Sequence, residues 1–280
     1  MLGVLVVITV LVVAGLIRGA LGTGSLNVLG PQPEHSYDTG ATGPAETGTN
    51  PLLTDPNATL VPANCPYAEW STDEDTARAF FGSAEKCLEG AWQPVLAAAG
   101  LPFEPPTVHV SATTDGISTP CTGSTSNFAA FYCPANRTIY MPISQLQTDY
   151  YEDNWVVYLS VFAHEYGHHI QNLSGILLAA NNERIDAGAQ SPDGLELSRR
   201  VELQANCFDG MYLVSSAGGG SLTAEQMSEA RTDADNRGDQ SGDMRDHGTP
   251  ENGGRWFGLG VEHNRSAQCN TFTAPDDAVS

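Results

Sequence analysis

The sequence predicts an α+β domain in which a helical segment is followed by a small antiparallel sheet and then by long helices. Two observations carry this. Apolar spacing changes from helical to alternating and back again along the chain, and the changes come in blocks rather than as repeated strand-helix-strand units. Six cysteines, at 65, 87, 121, 133, 207 and 269, all fall within one stretch and form no CxxC pair, so they read as structural bridges across one exported domain.

The first element is an uncharged apolar run, Leu2 to Ile17, close to membrane-spanning length. Residues 1–21 are therefore expected to be a transmembrane anchor or an uncleaved signal. No basic residue precedes the run, which suggests a start further upstream, and no sharp small-x-small site follows it. Residues 22–64 are rich in Gly, Pro, Thr and Asn and read as a flexible tether, with His35 a solvated bystander. Residues 65–280 are expected to form the folded domain.

That domain opens with "STDEDTARAFFGSAEKCLEGAWQPVLAAAG". Ser71 and Glu74 have capping-box spacing, and Phe80, Cys87, Leu88, Trp92 and Leu96 supply an apolar face. Pro94 is expected to kink or divide the helix. "TVHVSA", "NFAAFYC" and "RTIYMPI" then read as strands, the last two flanking a turn at Pro134 to Asn136. Helical patterns follow from about Tyr150 to Gly175 and from about Leu195 to Val214, and Thr223 opens another capped helix. The predicted bridges are Cys65 with Cys87, Cys121 with Cys133, and Cys207 with Cys269.

Charge narrows the function. The chain carries 33 acidic against 12 basic residues, a formal charge of -21, which repels phosphate backbones and makes nucleic acid a poor partner. No aromatic cluster speaks for a lipid or glycan binder. The strongest signal is "VFAHEYGHHIQ", residues 161 to 171, which holds three of the seven histidines. His164 and His168 are four residues apart on the helix face that Val157 and Val161 turn toward the core, so their imidazoles converge. With Glu165 they spell H-E-x-x-H, a pattern whose chance occurrence in this composition has a probability of roughly 0.01. Two imidazoles at this spacing can grip one zinc ion, and the glutamate stands beside the water that the metal activates, ready to act as general base. His169 points about 100° away from His168 and reads as a packing residue or one that supports a ligand from behind, rather than as a ligand.

A catalytic zinc needs a third ligand and one open position. Gln171 and Ser174 stand where a metzincin would have Gly and His, which excludes that class. Glu183, Glu196 and Glu202 remain. Glu183 lies in a polar "NNER" stretch read as a loop, whereas Glu202 shares a helix face with Asn206 and Asp209. Glu202 is preferred, although on spacing alone it could equally be a surface carboxylate paired with Arg199.

"HEYGHHIQ", "ELQANCFDG", "FYCPANRTIY", "HGTPENGGRWF" and "SAQCNTF" together resemble the successive motifs of the putative neutral zinc metallopeptidase family, bacterial proteins with one membrane anchor and an external domain. The resemblance spans about Cys65 to Phe272. It implies a zincin-like fold of the gluzincin type, with His164, His168 and Glu202 as zinc ligands and Glu165 as general base. The chain departs from the family at Asn206, usually acidic, at Asp209, usually small, and in lacking a basic, glycine-rich stretch before the apolar run. An amide at 206 orients an imidazole with less electrostatic help than a carboxylate, and Asp209 is the expected source of the missing charge. His247 is the candidate oxyanion donor, with Tyr166 the weaker choice. The expected protein is thus a membrane-anchored, extracytoplasmic zinc peptidase acting on peptide or protein substrates laid against an edge strand. A non-catalytic, disulfide-braced envelope protein with structural or vestigial zinc is the alternative.

Overall fold

In the computed structural model, which describes residues 42–123, 128–240 and 244–280, the chain first makes a short helix, α1 (Pro51–Thr54), then the long α2 (Glu74–Ala98). The cap of α2 differs from expectation. Asp73 accepts from the Thr76 N–H at 3.0 Å, so the helix starts at Glu74, while the Ser71 hydroxyl accepts from Asp73 N. A carboxylate at the cap answers the helix dipole better than a hydroxyl. Pro94 neither divides nor ends α2. The carbonyl it frees belongs to Gly90, which is exposed, so water can serve it.

Three strands follow, β1 (Thr107–Ser111), β2 (Phe131–Cys133) and β3 (Thr138–Pro142), in the order β1-β3-β2. The sheet is mixed rather than antiparallel: β2 and β3 form the expected hairpin, but β1 pairs with β3 in parallel. The long connection after Ser111 carries the chain back past β3 before β2 begins, and the Cys121–Cys133 bridge ties that connection to the sheet.

The pattern from Tyr150 to Gly175 resolves into two helices. A single turn, α3 (Thr148–Tyr151), ends where Glu152 takes φ 49°, and α4 (Trp155–Ser174) begins after it. Gly175, at φ 85°, terminates α4 in the left-handed conformation that glycine adopts without strain. The "NNER" stretch is helical, not a loop, and belongs to α5 (Ile176–Ala187). Its apolar residues crowd the first turn instead of recurring, which hid the helix from a reading by period. Then come α6 (Pro192–Gly218), capped by Ser191, α7 (Ala224–Ala234), with the Thr223–Gln226 capping box as read, and α8 (Pro250–His263), capped by Thr249. Among the described residues this is a mixed α/β architecture of eight α-helices and one three-stranded sheet.

The centre of the molecule is the crossing of α4 and α6, with α8 packed behind α6. At the crossing a Cβ on Gly167 would stand 3.3 Å from the Ala205 Cα, a tight contact that would push the two backbones apart by a few tenths of an ångström. The three disulfides pair as expected.

The later part of the predicted tether is packed. Leu52, Leu53 and Leu60 are buried, the Gly43 amide donates to the Leu173 carbonyl at 2.7 Å, and the Asn50 side chain donates to the Ser174 carbonyl at 2.8 Å. These apolar residues are too sparse to show a period, yet each finds a place against the core. The predicted anchor, the remainder of the tether and His35 lie outside the described residues, among which no helix is long and apolar enough to cross a membrane.

Candidate metal centre

The α4–α6 crossing brings His164, His168 and Glu202 together. His164 Nε2 and His168 Nε2 are 3.2 Å apart, and Glu202 Oε2 lies 3.3 Å from the first and 3.5 Å from the second. Zinc bonds of 2.0–2.1 Å in tetrahedral directions put neighbouring donors about 3.3 Å apart. The three donors therefore already describe one face of a zinc tetrahedron.

The outer sides of both imidazoles reinforce this. His164 Nδ1 meets the Asn206 side-chain oxygen at 2.9 Å, and His168 Nδ1 meets that of Gln171 at 2.8 Å. An amide oxygen only accepts, so each Nδ1 carries a proton and, in the neutral rings, each Nε2 presents a lone pair inward. Two lone pairs beside a carboxylate repel one another unless a proton or a cation lies between them. Without metal the proton goes to His168: burial alone would lower its pKa, but Glu202, with help from the Glu165 charge and the Gln171 hydrogen bond, outweighs burial and pushes it up to about 9. Burial pulls His164 down to about 4. Burial would also raise Glu202, yet the positive charges on His168 and His247 hold its carboxyl well below the usual range.

The competing carboxylates go elsewhere. Glu183 accepts from the Thr47 hydroxyl and Glu196 pairs with Arg200. Arg199, the alternative partner of Glu202, donates instead to the Val279 and Arg245 carbonyls. Asp209 does not supply the expected charge to His164. It accepts from the Ser160 hydroxyl at 2.6 Å and pairs with Arg237 at 3.6 Å, because a fully buried carboxylate takes the nearest cation.

Glu165 is buried beside the pair, and its Oε2 accepts from the Tyr132 backbone N–H at 2.9 Å. Burial pushes its carboxyl up to about 7 against the pull of His168. The outer edge of β2 therefore faces the base. Tyr132 is also fixed at its other end: its hydroxyl donates to His169 Nδ1 at 3.0 Å and accepts from Asn172, while His169 Nε2 donates to the Glu104 carbonyl. His169 is thus a packing residue, as read. Tyr166 is buried, with its ring against Phe162 and His169, as its place inside the motif suggested.

His247 lies on the loop before α8. Its Nδ1 contacts Asp246 at 2.7 Å and Asp239 at 3.6 Å, and its Nε2 is buried with no hydrogen-bond partner. Burial disfavours its charge, but Glu202 and the two aspartates raise its pKa well above the ordinary histidine value. The ring is a cation with one unused N–H, close enough to Glu202 and Glu165 for their charges to shift one another. Sequence reasoning missed Gln171 and Tyr132 as neighbours of the site. The i+3 spacing of Gln171 from His168 was the available signal.

Residues 62–272 match the family model described as putative neutral zinc metallopeptidase. The chain belongs to that family. Similar proteins include uncharacterized protein YpfJ of Escherichia coli K12, 30% identical over 216 residues that cover 72% of this chain and 74% of the relative. Uncharacterized protein Rv2575 of Mycobacterium tuberculosis H37Rv is 28% identical over 226 residues, 68% of each chain. No solved structure gives a significant match.

Proposed function

We propose that the protein is a zinc peptidase of the gluzincin type with a zincin-like fold, in which His164, His168 and Glu202 hold the metal and Glu165 is the general base. The observation that carries this is the donor triangle, with edges of 3.2, 3.3 and 3.5 Å and both Nδ1 atoms committed to amide oxygens. Zinc, when bound, supplies a Lewis acid that polarises a carbonyl and makes water acidic near neutral pH.

The chain's own groups do the rest. Tyr132 N–H holds one oxygen of Glu165, which leaves the other free to take a proton from the attacking water and pass it to the leaving amine. In the metal-free chain burial holds this carboxyl near 7, and the charge of a bound zinc would favour its anion, the form that accepts the proton. His247, charged and with Nε2–H uncommitted, donates to the oxyanion of the tetrahedral intermediate. An extended peptide adds along the outer edge of β2, whose Tyr132 N–H already faces the site.

The alternative, a non-catalytic envelope protein with a structural zinc, calls for a closed set of four ligands, and the cluster at this site among the described residues has three. We place the domain outside the cytoplasm, held to the membrane by Leu2 to Ile17. The uncharged apolar run itself is what supports that placement.

The test is the full-length chain with its disulfides formed, beside a Glu165→Gln variant, assayed for bound zinc and for cleavage of a broad peptide library. Both should hold one zinc and only the parent should cleave. Zinc in both and cleavage by neither would favour the structural reading.

A further inference from the structure

His168 is joined to the Cys207–Cys269 disulfide by an unbroken run of buried amides. Beyond its oxygen on His168 Nδ1, Gln171 donates from Nε2 to the Val201 carbonyl at 2.8 Å and to Gln204 Oε1 at 3.0 Å. Gln204 Nε2 donates in turn to the Cys269 carbonyl at 3.0 Å. Both glutamines are fully buried.

The run has a direction. An amide accepts at one end and donates at the other, so the two acceptors around Gln171 Nε2 fix its oxygen toward His168. The far end is equally constrained, because the Cys269 carbonyl belongs to a short turn, Ser266–Cys269, that the disulfide bolts to α6 three residues beyond Gln204. Simple glue between α4 and α6 would need no such polarity. Apolar side chains of the same size would join the helices without the cost of burying amides.

We propose that Gln171 and Gln204 are positioning residues of the metal centre. The run from the Cys269 carbonyl through Gln204 and Gln171 holds His168 as the Nδ1–H tautomer, with the Nε2 lone pair toward His164 and Glu202. The proposal rests on the zinc reading of the site, whereas the tautomer is a property of the metal-free chain.

The test uses Gln171→Met and Gln204→Met in the full-length protein, with the histidine tautomer, zinc affinity and melting temperature measured in each. Long-range proton–nitrogen spectra of the metal-free protein at pH about 10, where imidazole is neutral, read the tautomer. The parent should show His168 protonated at Nδ1 alone, and Gln171→Met should show a mixture. Zinc affinity should fall by about 10- to 100-fold in Gln171→Met, as for other partners of metal-bound histidines. A smaller fall is expected in Gln204→Met, where Gln171 keeps its bond to Val201. That second variant carries the test if the first fails to fold. A merely structural role would lower the melting temperature and leave tautomer and affinity at parental values, and that result overturns the proposal. A parent that binds no zinc overturns the zinc reading instead, and the tautomer then decides whether the run orients His168.

Discussion

Acidification should strip zinc from this site more steeply than from a site with a single titrating ligand. In the metal-free protein His168 titrates at about 9 and Glu165 at about 7. Zinc takes the lone pair that the His168 proton occupies, and its charge favours the Glu165 anion, so binding expels both protons wherever they are present. Between pH 8 and 6, His168 alone costs about 100-fold in affinity, one decade per proton per pH unit. Glu165, crossing its midpoint in that interval, adds about 10-fold. The total is about 1000-fold, or about 4 kcal/mol. Competition with a chelator of known proton dependence measures it. Glu165→Gln should reduce the loss to about 100-fold. Glu202→Gln should bind zinc weakly and with little pH dependence above about 6.5, because burial then keeps both imidazoles below the ordinary histidine range. A parent that loses less than about 10-fold, or a Glu202→Gln variant with the full dependence, would refute the coupling between Glu202 and His168.

Three further outcomes are expected. His247→Gln should lower kcat by about a hundredfold to a thousandfold with zinc content unchanged, as measured by steady-state kinetics and metal analysis, since it removes one oxyanion donor. Asp209→Asn should cost about 1 kcal/mol in denaturant unfolding, because the Ser160 hydroxyl loses its carboxylate acceptor while Asp233 still pairs with Arg237, and zinc affinity should stay within about threefold of the parent. Gly167→Leu should force α4 from α6 and abolish zinc binding, since ligand positions tolerate only about 0.2 Å. Gly82→Leu, on an open stretch of α2, should leave zinc binding intact.

What could be read from the sequence was local. The four-residue spacing of His164 and His168, the Thr223–Gln226 cap and the hairpin at Pro134 to Asn136 each depend on neighbours along one element. The parallel pairing of β1 with β3 depends on partners distant in sequence. Spacing alone left Glu202 an even choice against a surface carboxylate and the family resemblance favoured it, whereas packing is what occupies Glu183 with Thr47 and Glu196 with Arg200. Gln171 and Gln204 escaped notice because a reading by apolar period takes an amide for a solvent-facing residue, and nothing in the residue type marks it as buried. Asp209 misled for a related reason. A shared helix face places side chains in one direction but does not say which cation waits there, and Arg237 comes from beyond α7.

The segment that closes on the end of α4 has a kinetic consequence. The last carbonyls of a helix normally face water, and its final turn opens and recloses freely. Here Gly43 and Asn50 occupy the Leu173 and Ser174 carbonyls, and His168 and Gln171 stand in the last two turns behind them. Fraying of that end thus requires residues 43–50 to lift first, and amide hydrogen exchange across His168 to Gly175 becomes a clock for that lifting. A recombinant piece that starts at Cys65 omits this latch and Leu52, Leu53 and Leu60 with it.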